Sequence, residues 1–228
     1  MKAFLLAAGL GTRLRPLTDT KPKCLVEVCG KPMLRWWIEL FKKHGIDDIL
    51  INTHHLPDEI SKYIIKSNDK IYWDMTYEEI LLGSAGTLRY NKKFVRGEKD
   101  FIVAYVDVLT NIDLTKMIKY HRKKKSIFTM AIAEVTDPRG KGIVAVKDDI
   151  VVSFEEKPNE PTGNLANMGI YVCSQDIFDF IPLEGYSDMA DIIPELVGKM
   201  FAYSNINTYF CDMGSHGNLK LANETWRK

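Results

Sequence analysis

The sequence predicts an α/β fold with a mixed, mostly parallel sheet flanked by helices. Strand-like and helix-like patterns alternate over the first hundred residues, which is typical of parallel strands joined by helical crossovers. From Phe128 onward, strand-like stretches follow one another with little helix between them, which indicates an added antiparallel region. The 228 residues are 46% hydrophobic, enough for one globular domain with a substantial core. The expected architecture is therefore Rossmann-like, with a single domain over 1–228.

The composition excludes several classes of protein. A formal net charge of +1 lacks the basic excess expected for nucleic-acid or membrane-surface partners. No apolar run reaches the roughly 18 residues of a membrane span, and the short apolar start is interpreted as a strand rather than a signal peptide. None of the four cysteines lies in a C-x-x-C pair or at zinc-finger spacing. We expect reduced, mostly buried thiols and a cytoplasmic protein.

The first predicted strand, Ala3–Ala8, runs into a glycine-rich cationic loop. Gly9 and Gly11 have no Cβ, so the backbone can turn sharply and approach a ligand closely. Successive N–H groups in such a turn favour anions, and Thr12 adds a hydroxyl. Four cations follow in the same stretch, namely Arg13, Arg15, Lys21 and Lys23. This combination after a buried strand predicts a polyphosphate site.

Three other interpretations of this loop are open. A dinucleotide-binding fingerprint would need a third glycine at the position of Leu14. A kinase-type P-loop would need a spacing that Gly9 and Gly11 do not provide. A solvated loop with surface cations explains the charges, but not why glycines, a threonine and cations converge directly after a buried strand.

The other elements of the first half follow from their apolar spacing. A helix is predicted from Pro32 to Gly45, with one apolar face formed by Leu34, Ile38, Leu40 and Phe41. A second helix is predicted over Pro57–Ile65. The predicted strands are Leu25–Val28, Ile49–Thr53, Ile71–Tyr77 and Phe101–Tyr105.

A second turn of small residues, Gly83-Ser84-Ala85-Gly86, stands at the start of a predicted helix over Ala85–Asn91. It indicates another close approach of backbone to ligand, although an ordinary helix N-terminus explains it equally well. Glu78 and Glu79 stand just before this turn. A carboxylate can accept two hydrogen bonds from the edge of guanine, whereas thymine and uracil offer one donor there. These carboxylates favour GTP, with solvated residues flanking the turn as the alternative.

Asp107 follows the predicted strand Phe101–Tyr105, at the end of the strand where open α/β sheets bind ligands. It is therefore a candidate magnesium ligand. A capping role falls more naturally to Asp113, which precedes a helix predicted over Leu114–Tyr120. The basic run Arg122–Lys125 is interpreted as a solvated end that complements the helix dipole.

The second half contains strand-like stretches, two short helices and a closing helix. The predicted strands are Phe128–Val135, Gly142–Val146, Ile150–Phe154, Asn167–Val172 and Tyr203–Phe210. The predicted helices are Asp176–Phe180, Ala190–Met200 and Ser215–Trp226. Asp212 is a second acidic residue at a strand end, and two carboxylates with phosphate oxygens are a typical magnesium arrangement. Such a metal beside phosphate-binding cations suits phosphoryl or nucleotidyl transfer.

Several motifs of this chain resemble those of the sugar-1-phosphate nucleotidyltransferases, including the mannose-1-phosphate guanylyltransferases. They are Leu6–Leu14 with Lys21–Lys23, Gly83–Gly86, Phe154–Pro158, Asn167–Tyr171 and Asp212–Gly214. The resemblance covers nearly the whole chain and implies the nucleotide-diphospho-sugar transferase fold. It implies that 1–112 mainly binds the nucleotide and that 113–228, with the antiparallel region, mainly binds the sugar phosphate. It also leads us to expect no left-handed β-helix domain of the kind that some relatives carry.

The resemblance implies roles for individual residues. Arg13, Lys23 and Asp107 would be catalytic, with Arg13 on the β- and γ-phosphates and Lys23 on the α-phosphate. Asp107 and Asp212 would bind Mg²⁺, the implied cofactor. The implied nucleotide-binding residues are Leu6, Ala8, Gly9, Gly11, Thr12, Arg13, Lys23, Glu78, Glu79, Gly83, Ser84 and Ala85. The implied substrate-binding residues are Gly142 and Asn167, Glu156 for sugar hydroxyls and Lys157 for the sugar phosphate.

The resemblance implies transfer of a nucleoside monophosphate from GTP to mannose-1-phosphate or a similar sugar-1-phosphate, with release of pyrophosphate. The partners would be these two substrates, with no nucleic acid and no membrane. A cytidylyl-, uridylyl- or thymidylyltransferase for another sugar-1-phosphate or for choline phosphate is the alternative enzyme. A silent homologue that only binds nucleotide sugars is the alternative without catalysis, although the intact Arg13, Lys23, Asp107 and Asp212 argue against it. The oligomeric state stays open.

Overall fold

The computed structural model describes residues 1–205 and 207–226, which group into two compact units. The first unit contains Met1–Leu81, Ala104–Asn111 and Tyr209–Lys228. The second unit contains Leu82–Val103 and Ile112–Thr208. Two later segments of the chain therefore group with the first 81 residues.

The described residues form strands and helices in the order that an α/β protein requires. The strands are β1 (Lys2–Leu6), β2 (Glu27–Val28), β3 (Lys31–Pro32), β4 (Asp48–Thr53), β5 (Tyr72–Tyr77), β6 (Asp100–Tyr105), β7 (Val108–Thr110), β8 (Phe128–Glu134), β9 (Gly142–Lys147), β10 (Ile150–Glu156), β11 (Leu165–Ser174), β12 (Phe201–Tyr203) and β13 (Phe210–Asp212). The α-helices are α1 (Met33–Lys43), α2 (Pro57–Ser67), α3 (Ser84–Tyr90), α4 (Leu114–Lys124), α5 (Met189–Leu196) and α6 (His216–Thr225).

In the first unit, β1, β4 and β5 form a parallel ladder with β4 in the middle. The register pairs Phe4 with Leu50 and Leu50 with Asp74. The helix α1 begins directly after Pro32 and buries the predicted face that includes Ile38 and Phe41. The alternation of strand and helix predicted a parallel sheet here, and the pairing confirms it.

In the second unit, which contains the first four residues of β6, the strands follow the order β6-β11-β8-β12-β10-β9. The strands β9 and β10 form an antiparallel hairpin, and β8 and β11 are also antiparallel, while β8 and β12 run parallel. The second half therefore contains the predicted antiparallel region. Fully buried side chains such as Phe128, Ile170 and Val172 supply its core.

Several predicted boundaries are wrong. The single strand predicted over Tyr203–Phe210 is two separate strands, β12 and β13, and residue 206 lies outside the described residues. The helix predicted over Ala190–Met200 ends at Leu196, because the chain then turns back and Gly198 N donates to Val151 O at 2.8 Å. The segments Lys23–Leu25 and Gln175–Phe180 are 3-10 helices, so the predicted strand at Leu25 starts later and the predicted helix at Asp176 is not α-helical.

The ends of α4 show one confirmed prediction and one correction. Asp113 caps α4 as predicted, since its Oδ1 accepts a hydrogen bond from Lys116 N at 2.9 Å. The basic run at the other end is more than a solvated surface. Arg122 Nε donates to Asp100 Oδ2 at 2.7 Å, and Lys124 Nζ lies 2.9 Å from Asp149 Oδ2.

The cysteines and the helix lengths bear on the expected class of protein. All four cysteines are free; Cys24, Cys173 and Cys211 are buried and Cys29 is half-buried, as predicted. Within residues 1–205 and 207–226, no helix combines the length and the apolar character needed to cross a membrane.

Candidate active site

The loop after β1 has a conformation that depends on glycine. Gly11 has φ +65°, and a Cβ built on it would lie 2.9 Å from Thr18 Cγ2. Thr18 is buried, and its hydroxyl donates to Gly11 O at 2.7 Å. The predicted nucleotide-binding residues Leu6 and Ala8 are buried at the start of this loop, while Gly9, Thr12 and Arg13 are exposed. These three residues of the loop are therefore accessible to a ligand.

The position of Asp107 is set by the backbone of the residue before it. Val106 N donates to Leu6 O at 3.0 Å. Trp37, which is fully buried in α1, donates from Nε1 to Val106 O at 3.1 Å. Both polar groups of the Val106 backbone are thus hydrogen-bonded. They fix the position of the next residue, Asp107, beside the end of β1.

The two predicted metal ligands are brought together by a short antiparallel pair. The strands β7 and β13 pair with Asp212 opposite Val108. Met213 N donates to Asp107 O at 2.8 Å, which extends the pairing by one residue. The sequence pattern did not predict β7, yet this strand is what places Asp107 next to Asp212.

Two cations lie beside these carboxylates. Lys23 Nζ forms an ion pair with the carboxylate of Asp107. A Cβ at Gly214 would lie 2.6 Å from Arg13 Nη2 and 2.8 Å from Asp212 Oδ1, so this glycine leaves the room that Arg13 occupies. The structure therefore brings together Arg13, Lys23, Asp107 and Asp212.

Asp212 has an unusual environment. Burial and the charge of Asp107 raise the pKa of Asp212, against the opposing charges of Lys23 and Arg13. Its Oδ1 atom is buried and has no hydrogen-bond partner. A buried oxygen without a donor is costly unless a cation or another ligand satisfies it.

The donor set fits a magnesium ion. Mg²⁺ prefers oxygen ligands and is commonly bound by one or two carboxylates together with substrate phosphates. Asp107 and Asp212 supply two adjacent carboxylates, one of which has the unpartnered Oδ1. Among residues 1–205 and 207–226, no group of three or more His, Cys, Asp or Glu side chains could hold a metal, so phosphate or water oxygens would complete this site.

The two glutamates proposed to read the base have different environments. Glu78 is 3% exposed, and its Oε1 accepts a hydrogen bond from Asn52 Nδ2 at 2.8 Å. Glu79 is exposed to solvent. Sequence reasoning did not single out Asn52, although a polar residue within the apolar run of β4 was a signal for it.

The turn Gly83-Ser84-Ala85 lies in the second unit and is held by the segment before α5. A Cβ at Gly83 would lie 2.3 Å from Ser187 O. The Ser84 hydroxyl donates to Asp188 Oδ1 at 2.9 Å and accepts from Met189 N at 2.7 Å. Asp188 was missed from the sequence, although the spacing Asp-x-x-Asp of its capping box with Asp191 could have indicated it.

The predicted sugar-phosphate residues share one region of the second unit. Gly142 pairs with Glu156 across the hairpin β9–β10, and a Cβ at Gly142 would lie 3.0 Å from Glu156 Oε2. Lys157 Nζ lies 2.8 Å from Glu156 Oε1. Asn167 lies on β11, next to Ala166, which pairs with Ile143 of β9. Asn167 donates to the Tyr171 hydroxyl at 2.8 Å, a partner that the sequence did not indicate.

Known proteins resemble this chain over almost its whole length. The family model described as nucleotidyl transferase matches residues 2–228. A UTP–glucose-1-phosphate uridylyltransferase from Synechocystis sp. is 34% identical and a mannose-1-phosphate guanyltransferase from Yarrowia lipolytica is 31% identical, each over 94% of this chain. The matches cover 60% and 61% of those proteins, so the chain spans about three fifths of the length of these curated relatives.

A solved structure resembles the fold. The crystal structure of HddC from Yersinia pseudotuberculosis, complexed with GMP-PN, superposes on this chain with a TM-score of 0.84. The two sequences are 28% identical, and the match covers 99% of each chain. Together with the family match, this similarity confirms the predicted nucleotide-diphospho-sugar transferase fold.

Proposed function

The chain belongs to the nucleotidyl transferase family, and on that premise we propose that it transfers a nucleoside monophosphate from a nucleoside triphosphate to a sugar-1-phosphate. The observation that carries this proposal is the group formed in the first unit by Arg13, Lys23, Asp107 and Asp212. Two cations and two carboxylates beside an exposed glycine-rich loop suit the binding of a polyphosphate and its charge-balancing cation.

The reaction is a single in-line displacement. An oxygen of the sugar-1-phosphate forms a bond to the α-phosphorus of the triphosphate, and the bond from that phosphorus to the β-phosphate oxygen breaks, releasing pyrophosphate. Lys23 donates to the α-phosphate oxygens as negative charge builds up there, and Arg13 stabilises the leaving pyrophosphate. This route requires no protein nucleophile.

We propose Asp107 and Asp212 as the residues that hold Mg²⁺. When bound, the ion neutralises phosphate charge. Lys23 contacts Asp107 directly, so the same lysine fixes this carboxylate and supplies a donor to the substrate.

The residues of the second unit support binding of the sugar phosphate. Glu156 accepts hydrogen bonds from sugar hydroxyls, and the adjacent Lys157 binds the phosphate. Gly142 keeps the space beside Glu156 open, since a Cβ there would also lie 2.8 Å from Phe154 Cε2. Asn167 is held by Tyr171 in the neighbouring strand.

GTP and a mannose-1-phosphate-like sugar are the substrates we propose first. The guanyltransferase relative and the GMP-PN bound to HddC support this choice, as does the exposed carboxylate of Glu79. A pyrimidine nucleotide with glucose-1-phosphate is the second candidate, because the uridylyltransferase relative matches the same share of this chain, 94%, as the guanyltransferase does.

A pyrophosphate-release assay with Mg²⁺ tests both candidates. It crosses GTP, CTP, UTP, dTTP and ATP with mannose-1-phosphate and glucose-1-phosphate, and adds CTP with choline phosphate. Release with GTP alone is the expected result. Release with a pyrimidine nucleotide would keep the reaction and replace the base, and no release with any pair would contradict the proposal.

A further inference from the structure

We propose that Asn52, His54 and His55 are positioning residues that hold two nucleotide-binding loops in fixed positions relative to each other. They lie in the segment Asn52–His55 at the end of β4, here called the NTHH segment. The phosphate loop is Gly9–Thr18, and the base loop is Glu78–Leu81. All three segments belong to the first unit. This inference rests on the proposed function and names the residues that support its nucleotide site.

The NTHH segment contacts the chain just before the phosphate loop and the loop's last residue. Asn52 Oδ1 accepts a hydrogen bond from Ala7 N, two residues before the loop, at 2.7 Å. His55 Nε2 lies 2.8 Å from Thr18 O at the far end. Thr18 in turn donates from its hydroxyl to Gly11 O at 2.7 Å. The conformation of the glycine turn is therefore tied to His55 through a single intermediate residue.

The same segment contacts the base loop. Asn52 Nδ2 donates to Glu78 Oε1 at 2.8 Å, and His54 Nδ1 lies 2.7 Å from Glu78 O. Glu78 N donates to Thr53 O at 2.8 Å. The backbone and the carboxylate of Glu78 are thus fixed by three consecutive residues of β4 and the turn after it.

The chemistry of these contacts requires an N–H donor at His54 and at His55, and both a donor and an acceptor at Asn52. A carbonyl oxygen can only accept, so Nδ1 of His54 and Nε2 of His55 must each carry a proton. Asn52 must accept from one loop and donate to the other, which an amide can do and a carboxylate cannot. One short segment therefore couples the geometry of the phosphate loop to that of the base loop.

The two histidines support loops that bind different parts of the nucleotide. Loss of the His55 contact loosens the phosphate loop and weakens binding of every nucleoside triphosphate to the same degree. Loss of the His54 contact loosens the base loop and reduces the discrimination between bases. A purely structural role would change protein stability without this separation.

Matched variants test the His55 contact. His55→Met removes the donor at similar length, and His55→Gln keeps an N–H near the position of Nε2. Titration calorimetry with GTP and with UTP, both with Mg²⁺, should show about tenfold weaker binding of each nucleotide to H55M, the factor that corresponds to about 1.4 kcal/mol. Substitution by Gln should recover most of this loss.

A second pair tests His54. His54→Leu removes the donor, whereas His54→Asn keeps an N–H near the position of Nδ1. The ratio of the affinities for GTP and UTP should fall several-fold in H54L and remain close to that of the unmodified chain in H54N. If H55M fails to fold, Thr18→Val tests the same loop, because it removes the hydroxyl that bonds Gly11 at nearly constant volume.

The outcomes separate this inference from the proposed function. If the unmodified chain binds none of these nucleotides, the proposed function itself is contradicted. If it binds them and the donor-free variants bind with unchanged affinity and unchanged base ratio, the NTHH segment does not position the loops. Equal losses in the donor-free and donor-retaining variants would also overturn the inference.

Discussion

Lys23 is the residue on which the proposed chemistry depends most directly. Its side chain is 13% exposed and lies against the carboxylate of Asp107. A lysine in this position can stabilise charge on the α-phosphate while it keeps a carboxylate in place. Removal of Lys23 is therefore expected to raise the free energy of the transition state more than it lowers the stability of the folded protein.

We expect Lys23→Ala to lower kcat/KM by two to three orders of magnitude, about 3–4 kcal/mol, as for loss of one key oxyanion donor. The measurement is steady-state pyrophosphate release. Lys62→Ala is the control, because Lys62 is an exposed residue of α2 that pairs only with a neighbour on its own helix among the contacts described, Glu59 at 2.7 Å. Near-full turnover of K23A would contradict the mechanism.

Gly214 offers a second test at the scale of one residue. We expect Gly214→Ala to displace Arg13, because the new Cβ would lie 2.6 Å from Arg13 Nη2 and 2.8 Å from Asp212 Oδ1. The affinity for triphosphate should fall about tenfold, because one hydrogen bond to a charged group, worth about 1.5 kcal/mol, is lost. Gly217→Ala is the control, since its nearest neighbour would be 4.0 Å away. Titration calorimetry with GTP measures the affinity, and equal affinities of the two variants would show that Arg13 does not need this space.

At the scale of elements, the pair β7–β13 decides where the acidic residues meet. Each strand has three residues, too few to show a period of two in the sequence. Their pairing places Asp212 opposite Val108, beside Asp107. The two aspartates could be identified from their positions after apolar runs, but their proximity depends on a pairing between distant parts of the chain.

The packing of α4 on β8 gives a pH-dependent stability. His121 of α4 is 1% exposed, and its Nδ1 lies 2.9 Å from Thr129 Oγ1 of β8. Burial lowers the pKa of His121 below its ordinary value, although the nearby Asp100 acts in the opposite direction. The folded protein therefore binds this proton less readily than the unfolded chain does.

We expect the free energy of unfolding to fall as the pH drops below about 6.5, the ordinary pKa of histidine. This contribution is fully present above that pH and is lost toward the lower pKa of the folded state. Urea unfolding between pH 5 and 8 measures the slope. His121→Gln should be less stable at pH 8 and should show a shallower slope than the unmodified chain; an unchanged slope would show that His121 does not titrate in this way.

At the scale of the whole molecule, the first unit contains the phosphate loop, the base loop and both carboxylates proposed to bind the metal. It is assembled from three separate segments of the chain. The segment Ala104–Asn111 supplies Asp107, and the segment that begins at Tyr209 supplies Asp212. The proposed metal dependence is therefore a property of the assembled unit rather than of any one segment.

We expect a chelator such as EDTA to abolish pyrophosphate release and added Mg²⁺ to restore it, because Asp212 Oδ1 is buried without a donor. Asp212→Asn should lower the apparent affinity for Mg²⁺ by at least tenfold, since an amide removes one negative ligand charge. A titration of activity with Mg²⁺ measures both effects. Activity that persists after exhaustive chelation would contradict a metal at these aspartates.

Local patterns in the sequence are sufficient to predict most elements and the chemistry of the loops. Apolar periodicity is a local property, so β4, α1 and the hairpin β9–β10 could be predicted without tertiary information. The glycine-rich loop and the motif at Asp212 can likewise be recognised from consecutive residues. The family and the fold followed from these motifs, and the comparisons confirm both.

Which side chains meet depends on tertiary packing. Lys23 pairs with Asp107 across 84 residues, and Ser84 bonds Asp188 across 104. Asn52 meets Glu78 because β4 and β5 are parallel neighbours, and nothing in the local pattern of either residue encodes that contact. Local periodicity determines which face of an element is buried, whereas the partner on that face depends on the packing of the whole unit.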